Sequence, residues 1–347
     1  MEEVKHKRRK RYSGKYPKKY SEKYKELNPD KYQDIHEHVK AKGNTPAGTH
    51  ISIMVDEILN FFDIQENQIG LDCTLGYGGH TLHMLEKLNH TGHLYGLDVD
   101  IEESSKTLNR IRNKGYNEDD FTLVNTNFRN ILEVSQNNGS FDFVLADLGL
   151  SSMQIDNPER GFSYKVDGPL DFRMNQSEGL PASELLKTYT KEEIEEILMN
   201  NSDEPNASII SKTIDSFIKS GVEVNTTTML KKIIDKALIS YNLDQKELKK
   251  TYARVFQALR IEVNHEYEVL NDLLEDLDKV LKPGGKAVIL TFHSGEDRLV
   301  KKSFKQKYNA GIYDSYSREV IRPSQKECRD NPRATSTKMR WVIKSEL

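Results

Sequence analysis

An open, doubly wound α/β sheet interrupted by an all-helical insertion is the fold that this sequence predicts. Three observations carry it. Strand and helix signals alternate from Gln68 to about Ala146, the first strand-turn-helix-strand unit holds a glycine turn and ends in acid, and the alternation stops after Asp147 to resume near Ala253.

The first unit, QIGLDCTLGYGGHTLHMLEKLNHTGHLYGLDVD, runs from Gln68 to Asp100. Ile69, Leu71 and Cys73 are the apolar members of a buried strand. Gly76, Gly78 and Gly79 then let the backbone turn and approach a ligand with no Cβ in the way. A helix with Leu82, Leu85 and Leu88 at helical spacing follows, its N-terminal amides aimed at the same place. Asp98 ends the next strand about twenty residues on, where an acid can accept both hydroxyl hydrogens of a ribose.

The glycine pattern separates two cofactor classes. A dinucleotide calls for G-x-G-x-x-G, and the third glycine is missing from Gly76-Tyr77-Gly78-Gly79-His80. S-adenosylmethionine carries no phosphate and needs only close backbone approach and a ribose acceptor. A methyltransferase is therefore favoured over a nicotinamide oxidoreductase, and a ligand-free glycine turn is the plain alternative.

Phe121–Asn125 reads as a third strand, and Phe141–Ala146 as a fourth that delivers Asp147 at its carboxyl end. In open α/β sheets ligands bind outside those carboxyl ends, so Asp98 and Asp147 should face one cleft. From about Met153 to Asn175 comes a loop rich in Gly, Pro and charge, and from Leu180 to Leu243 only amphipathic helical patterns. Thr190 with Glu193 forms a capping box, and Thr227 opens a stretch with Leu230, Ile233, Ile234 and Leu238 on one side. A single helix over Ala253–Leu281 carries Phe256, Leu259, Val263, Tyr267, Leu270, Leu274 and Leu277 on its buried stripe. Lys286–Thr291 is the fifth core strand, Ser294 caps the next helix with Asp297 three residues on, and Met339–Lys344 suits a last strand paired antiparallel. The domain reading is a basic arm over 1–47, a core over 48–155 and 250–347, and a loop plus helical insertion over 156–249.

Composition narrows the class. The 347 residues carry a net charge of −3, two cysteines and no apolar run long enough to cross a bilayer. These features predict a cytoplasmic protein with no membrane association and no resident metal, with a homodimer as one candidate assembly. Residues 1–32 hold twelve Lys or Arg against five acids, with Tyr12, Tyr16, Tyr20, Tyr24 and Tyr32 among them. Basic groups neutralise phosphates and tyrosines stack on bases, so this arm reads as an RNA contact or a solvated tail. The loop residues Arg160, Phe162, Tyr164, Lys165 and Arg173 suit phosphate contact and base stacking, or else pack on the domain. Arg329, Arg333, Lys338 and Arg340 add basic charge near the C-terminus.

The residues Asp72–His80, LADLGLSSMQID from Leu145, ERGFSYKVDGPLDFRM from Glu159, FQALRIEVN from Phe256, FHSGEDR from Phe292 and NPRATSTKMR from Asn331 resemble, in that order, the RsmH (MraW) family. The resemblance covers about His50 to Arg340. It implies a Rossmann-like class I S-adenosylmethionine-dependent methyltransferase that modifies N4 of a decoding-region cytosine in the 16S rRNA of the small ribosomal subunit. On matching positions it implies cofactor contacts from Gly78, Gly79, His80, Asp98, Phe128, Asp147 and Gln154, with Gly76 in the same turn. Arg254, before the FQALRI helix, joins the loop residues on the RNA side. The chain departs from the family pattern at Asn201–Glu204 in place of Tyr-Gly-Glu-Glu, at Lys250–Arg254 in place of His-Pro-Ala-Thr-Arg, at Gly295 in place of leucine, in a short region between FHSGEDR and NPRA, and in the extra basic arm. These departures point to a divergent subgroup.

Chemistry adds constraints of its own. A cytosine amine is a poor nucleophile, so acceptors must hold its hydrogens and aim it at the methyl group. Asp147, the Leu148 carbonyl, Ser151 and Ser152 lie where such acceptors belong, and His293, at the carboxyl end of a core strand, is a substrate-side candidate. The Asp-Pro-Pro-Tyr signature of many amino methyltransferases is absent. Transfer to carbon 5 would need a thiolate after the fourth strand, and neither Cys73 nor Cys328 follows it. Methyl transfer to another RNA, and an RNA-binding protein that keeps the fold without catalysis, are the competing readings.

Overall fold

The computed structural model describes residues 52–346. The basic arm over 1–47 lies outside them. Seven strands form one sheet in the order β3-β2-β1-β4-β5-β7-β6. They are β1 (Ile69–Asp72), β2 (His93–Leu97), β3 (Phe121–Val124), β4 (Phe141–Asp147), β5 (Leu281–Thr291), β6 (Tyr313–Tyr316) and β7 (Lys338–Lys344). The first five are parallel, and β7 runs antiparallel between β5 and β6.

Strands β2 and β3 lie on one side of β1 and β4 and β5 on the other, so the chain reverses direction across the sheet between β1 and β4. That reversal is a topological switch point, where the crossovers diverge and leave a crevice at the carboxyl ends. Helices α1 (Val55–Phe62), α2 (Gly79–Leu88) and α3 (Ile101–Asn113) cover one face. The other face is covered by α4 (Ile131–Asn138), α11 (Glu266–Val280) and α12 (Ser294–Asn309). Strand β4 feeds both layers, with Phe143 and Leu145 on the α1–α3 side and Val144 and Ala146 on the other.

Between β4 and β5 come α5 (Ser152–Asp156), α6 (Ala182–Thr188), α7 (Lys191–Ser202), α8 (Ala207–Lys219), α9 (Thr227–Ala237) and α10 (Gln245–Val263). Their apolar faces make a separate cluster that includes Ile194, Ile210, Leu230, Ile233 and, from α10, Val255, Phe256 and Leu259. The expected boundary at 249/250 thus falls inside α10, whose buried side belongs to the helical lobe as far as Val263.

Two local expectations shift. The single helix over Ala253–Leu281 is two, α10 and α11, broken at His265, which takes a left-handed φ of 50°. Asn264 stabilises the break by accepting the Met174 amide at 2.7 Å and donating to the Phe172 carbonyl at 2.8 Å. Helix α9 begins at Thr227 as expected and is capped by Thr226, which accepts the Met229 amide at 3.1 Å. The cap of α12 is His293, not Ser294, because Asp297 is turned toward β7, where Arg340 holds it. The Thr190–Glu193 capping box forms as expected. Helix α13 (Gln325–Asp330) and strand β6 carried too few apolar residues to be read from the sequence.

Glycine in β1 is a packing requirement. A Cβ at Gly70 would lie 2.1 Å from the buried Phe143 ring. Gly70→Ala should therefore overpack the sheet and lower stability by about 1–3 kcal/mol. Urea denaturation checks this, and pairing the change with Phe143→Leu should recover part of the loss.

Candidate active site

The crevice at the switch point is built from the ends of β1, β2, β4 and β5. Asp72 ends β1 fully buried. Its Oδ2 accepts the Thr81 hydroxyl at 2.6 Å and its Oδ1 accepts the Thr74 amide at 3.0 Å. The Thr74 hydroxyl in turn accepts the Asp147 amide at 2.7 Å, which ties the end of β1 to the end of β4. Burial raises the Asp72 pKa, while the Thr81 hydroxyl, His80 and the Thr74 groups offset part of that cost.

The glycine turn is held from below by α3. Thr107 donates its hydroxyl to the Gly76 carbonyl at 2.6 Å, and Arg110 lies 5.2 Å over the Tyr77 ring. Gly76 and Gly78 have φ of 47° and 73°, in the left-handed region that L side chains rarely adopt. A Cβ at Gly78 would also meet Thr107 at 2.8 Å, and one at Gly79 would meet the Ser52 hydroxyl at 2.0 Å. Gly79 begins α2, so its free amides open toward the crevice.

Asp98 sits just past β2. Its Oδ2 accepts the Gly76 amide at 2.9 Å and its Oδ1 the Asp100 amide at 2.9 Å. Each oxygen keeps a second lone pair, enough for the two hydroxyls of a ribose. Burial pushes this carboxyl up to about 6, against the pull of those two amides. Phe128 follows β3 and is half-buried against the core. Ile101, the first residue of α3, is 66% exposed beside the same acid. Such an exposed apolar side chain next to a ribose acceptor is a candidate adenine contact that residue pattern alone did not single out.

Asp147 closes the crevice from β4. His80 donates from Nε2 to the Ile53 carbonyl at 2.9 Å, since a carbonyl can only accept. Its Nδ1 is therefore the nitrogen facing Asp147 Oδ2, at 3.5 Å. The other carboxylate oxygen, Oδ1, is buried with no hydrogen-bond partner. Native proteins rarely leave such an acceptor unmatched, and one in a crevice is a mark of a ligand site. Burial pushes Asp147 up to about 6; His80 pulls it down, and Asp72 and Glu296 push it further up.

Other expected residues are committed inside the protein. Ser151 accepts the Gln154 amide at 3.2 Å while Gln154 Oε1 accepts the Ser151 amide at 3.0 Å, a reciprocal capping box for α5. The expected acceptor role of Ser151 is thus already engaged, and the S-x-x-Q spacing was the signal. Ser152 opens α5. His293 Nδ1 accepts the Glu296 amide at 3.5 Å, and its Nε2, 3.2 Å from Glu296 Oε1, is within ion-pair distance but makes no hydrogen bond. Burial raises the Glu296 pKa, but His293, the Phe292 amide and Arg260 outweigh it and the net shift is downward. Glu266, His293 and Glu296 bring three ligand-type atoms together. Arg260, however, already grips Glu266 with two bonds of 2.7 and 2.8 Å, so the charge there is balanced by a guanidinium.

The RNA-side expectations are corrected in part. Arg160 is largely buried, paired with Asp100 at 3.2 Å and donating to the Met174 carbonyl at 2.5 Å. Phe162 lies in the lobe core, stacked with Phe172 at 6.2 Å, so its faces are not available to bases. Tyr164 packs against Tyr252 and Phe256. Arg173 forks onto Asp171 at 2.8 and 2.9 Å, and Arg254 pairs with the buried Glu204 at 2.5 Å. These aromatics and arginines build the loop and lobe because a glycine-rich loop without regular structure needs side chains to hold it. Lys165 is exposed. Near the C-terminus, Lys338 and Arg340 share Asp297 and Arg333 pairs with Asp156, leaving Arg329 exposed.

A crevice at the switch point of a doubly wound sheet, with a glycine turn, a ribose-type acceptor and an orphan carboxylate oxygen, defines a methyltransferase rather than a dinucleotide oxidoreductase. Comparison with known proteins gives the particular family. The chain matches the model of the MraW methylase family over residues 47–345 and belongs to that family. It is 57% identical to "Ribosomal RNA small subunit methyltransferase H 1" of Agathobacter rectalis, an alignment that covers 99% of both chains. The "Ribosomal RNA small subunit methyltransferase H 2" of Alkaliphilus metalliredigens is 52% identical with 99% of both covered. The "Ribosomal RNA small subunit methyltransferase H" of Mesoplasma florum is 39% identical over 86% of this chain and 99% of its own.

The turn gives a direct test. Gly78→Ala places a side chain in a left-handed conformation that costs about 1–2 kcal/mol, so the turn should relax away from the ligand. Affinity for S-adenosylmethionine, measured by calorimetry, should fall about tenfold or more. Unchanged affinity would mean that the turn does not contact the cofactor.

Proposed function

We propose that this protein transfers the methyl group of S-adenosylmethionine to N4 of a cytosine in the decoding region of 16S rRNA, acting on the small ribosomal subunit in the cytoplasm. The observation that carries the reading is Asp147 Oδ1, a buried acceptor with no partner at the switch point. The printed names of the relatives supply the substrate class. Among the described residues no helix is long and apolar enough to cross a membrane.

The donor set fits this cofactor. Asp98 would take the ribose hydroxyls on its free lone pairs, the Gly76–Gly79 backbone would take the close approach, and Phe128 with Ile101 would flank the base. His80 and Gln154 would join them, the capping bond engaging only Oε1 of Gln154. When bound, S-adenosylmethionine supplies an electrophilic methyl group on sulfonium. Asp147 Oδ1 accepts a hydrogen of the target amine, turning the nitrogen lone pair toward that methyl. Transfer would form a nitrogen–carbon bond as the sulfur–carbon bond breaks, with the amine proton leaving toward the Asp147 carboxylate or water. The catalytic gain comes from orientation in a site that excludes solvent. We assign the helical lobe, with the exposed Lys165 on its loop, to the RNA side. The core and the lobe are the two working parts.

Asp147 must be ionised to accept, so transfer should fall as pH drops through about 6. His80 lowers the Asp147 pKa, so His80→Gln should move that acid limb to higher pH. Glu296 raises it, so Glu296→Gln should move the limb lower. Label from S-adenosylmethionine appearing as N4-methylcytidine in 30S subunits, and reduced about a hundredfold or more by Asp147→Asn, supports the reading. Full activity in Asp147→Asn, or label in another nucleoside, would overturn it.

A further inference from the structure

Gly295 and the end of α7 meet at one tyrosine, Tyr267. Gly295, in the first turn of α12, has no side chain, and a Cβ there would lie 1.9 Å from Tyr267 Oη and 2.7 Å from Tyr267 Cζ. The phenol therefore occupies the space that a side chain at 295 would fill. Its hydroxyl donates to the Asn201 carbonyl at 3.1 Å, and the same carbonyl accepts from Gln257 Nε2 at 3.2 Å. Asn201, buried near the end of α7, donates from Nδ2 to the Ala258 carbonyl at 3.2 Å and to Glu262 at 3.3 Å. Three residues on, Glu204 takes Arg254.

The Tyr267 ring also lies beside His293, which follows β5. Its ring centroid lies 5.9 Å from that of His293, tilted by 51°. His293 is held by Glu296, whose charge reaches Asp147. Burial, with Glu296 and Glu266, pushes the Tyr267 pKa up to about 12, so the hydroxyl remains a donor throughout the working range of pH. One side chain thus touches the β5–α12 turn, the His293 ring and the last turn of a lobe helix. An exposed ion pair between Arg298 and Asp203 at 3.5 Å spans the same junction but contributes little in water.

We infer that Tyr267 is a positioning residue for the RNA substrate: with Gly295 as its size-matched partner, it orients His293 and sets the end of α7 at a fixed distance from Asp147. The inference rests on the reading that RNA is methylated in this crevice. Tyr267 has no bond to make or break. Its contribution is the placement of two surfaces that the substrate must touch together. The pairing also explains why Gly295 carries no side chain: any larger residue must expel the phenol.

Gly295→Ala and Tyr267→Phe test this in one design. The atom nearest the new Cβ is the free end of a side chain, so Gly295→Ala should displace the phenol and break its bond to Asn201 without unfolding the chain. Tyr267→Phe deletes the same bond with no added bulk. Each should raise KM for 30S subunits about three- to tenfold, the range of one hydrogen bond, with KM for S-adenosylmethionine unchanged. The double variant should be no worse than the poorer single, because both remove one contact. Unmoved KM for the subunit, an equal loss of cofactor affinity, or additive losses in the double would overturn the inference while the wild type continues to methylate. A wild type that transfers no methyl to any 30S preparation overturns the functional reading itself, and the inference with it.

Discussion

The site depends on one hydrogen bond across the reversal in strand order. Strands β1 and β4 are neighbours in space but separated in the chain by α2, β2, α3, β3 and α4, and their ends must be registered for any ligand to be held between them. The Asp147 amide donates to the Thr74 hydroxyl, and Thr74 is fixed by Asp72, which is itself fixed by Thr81. A buried carboxylate with three donors is stable where a bare one would not be. The chain of bonds carries geometry from the floor of the sheet to the group that faces the ligand. Without it, Asp147 would end a strand like any other.

Above that floor, charge is arranged to leave one acceptor open. Asp72 and Glu296 are satisfied by their own partners, and His80 is committed on Nε2 to a backbone carbonyl. Of these three acids Asp147 keeps a buried oxygen without a donor, where burial and the other two acids make its ionisation costly. Such a group is matched only when a ligand brings a hydrogen to it. The same economy appears in Asp98, whose two amide bonds fix its plane and leave the outward lone pairs for hydroxyls.

Much of the core was legible because the determinants are local. Glycines at left-handed positions, an acid at the end of a strand and alternating buried runs leave their mark in neighbouring residues, so β1, β2, β4, Asp98 and Asp147 could be read in order. The lobe and loop were less legible. Arg160, Phe162, Arg173 and Arg254 have the composition of an RNA surface, yet each is spent on a partner inside the protein: Arg173 on neighbouring Asp171, the others on Asp100, Phe172 and Glu204. Residue type cannot tell a phosphate contact from an internal ion pair when the partner lies far along the chain. The same holds for Thr74, Thr107 and Tyr267, whose importance comes from what they touch. The helix break at His265 has no glycine or proline to announce it; Asn264 makes it by reaching the loop at Phe172 and Met174.

The central claim is that the crevice between β1 and β4 holds S-adenosylmethionine with its reactive end toward Asp147. A crystal structure of the protein with this cofactor tests it most directly. The account predicts both ribose hydroxyls within hydrogen-bond distance of Asp98, the adenine beside Phe128 and Ile101, and Asp147 Oδ1 facing the space next to the methyl group. A cofactor bound elsewhere, or an Asp147 turned away from it and satisfied by the protein, would contradict the account.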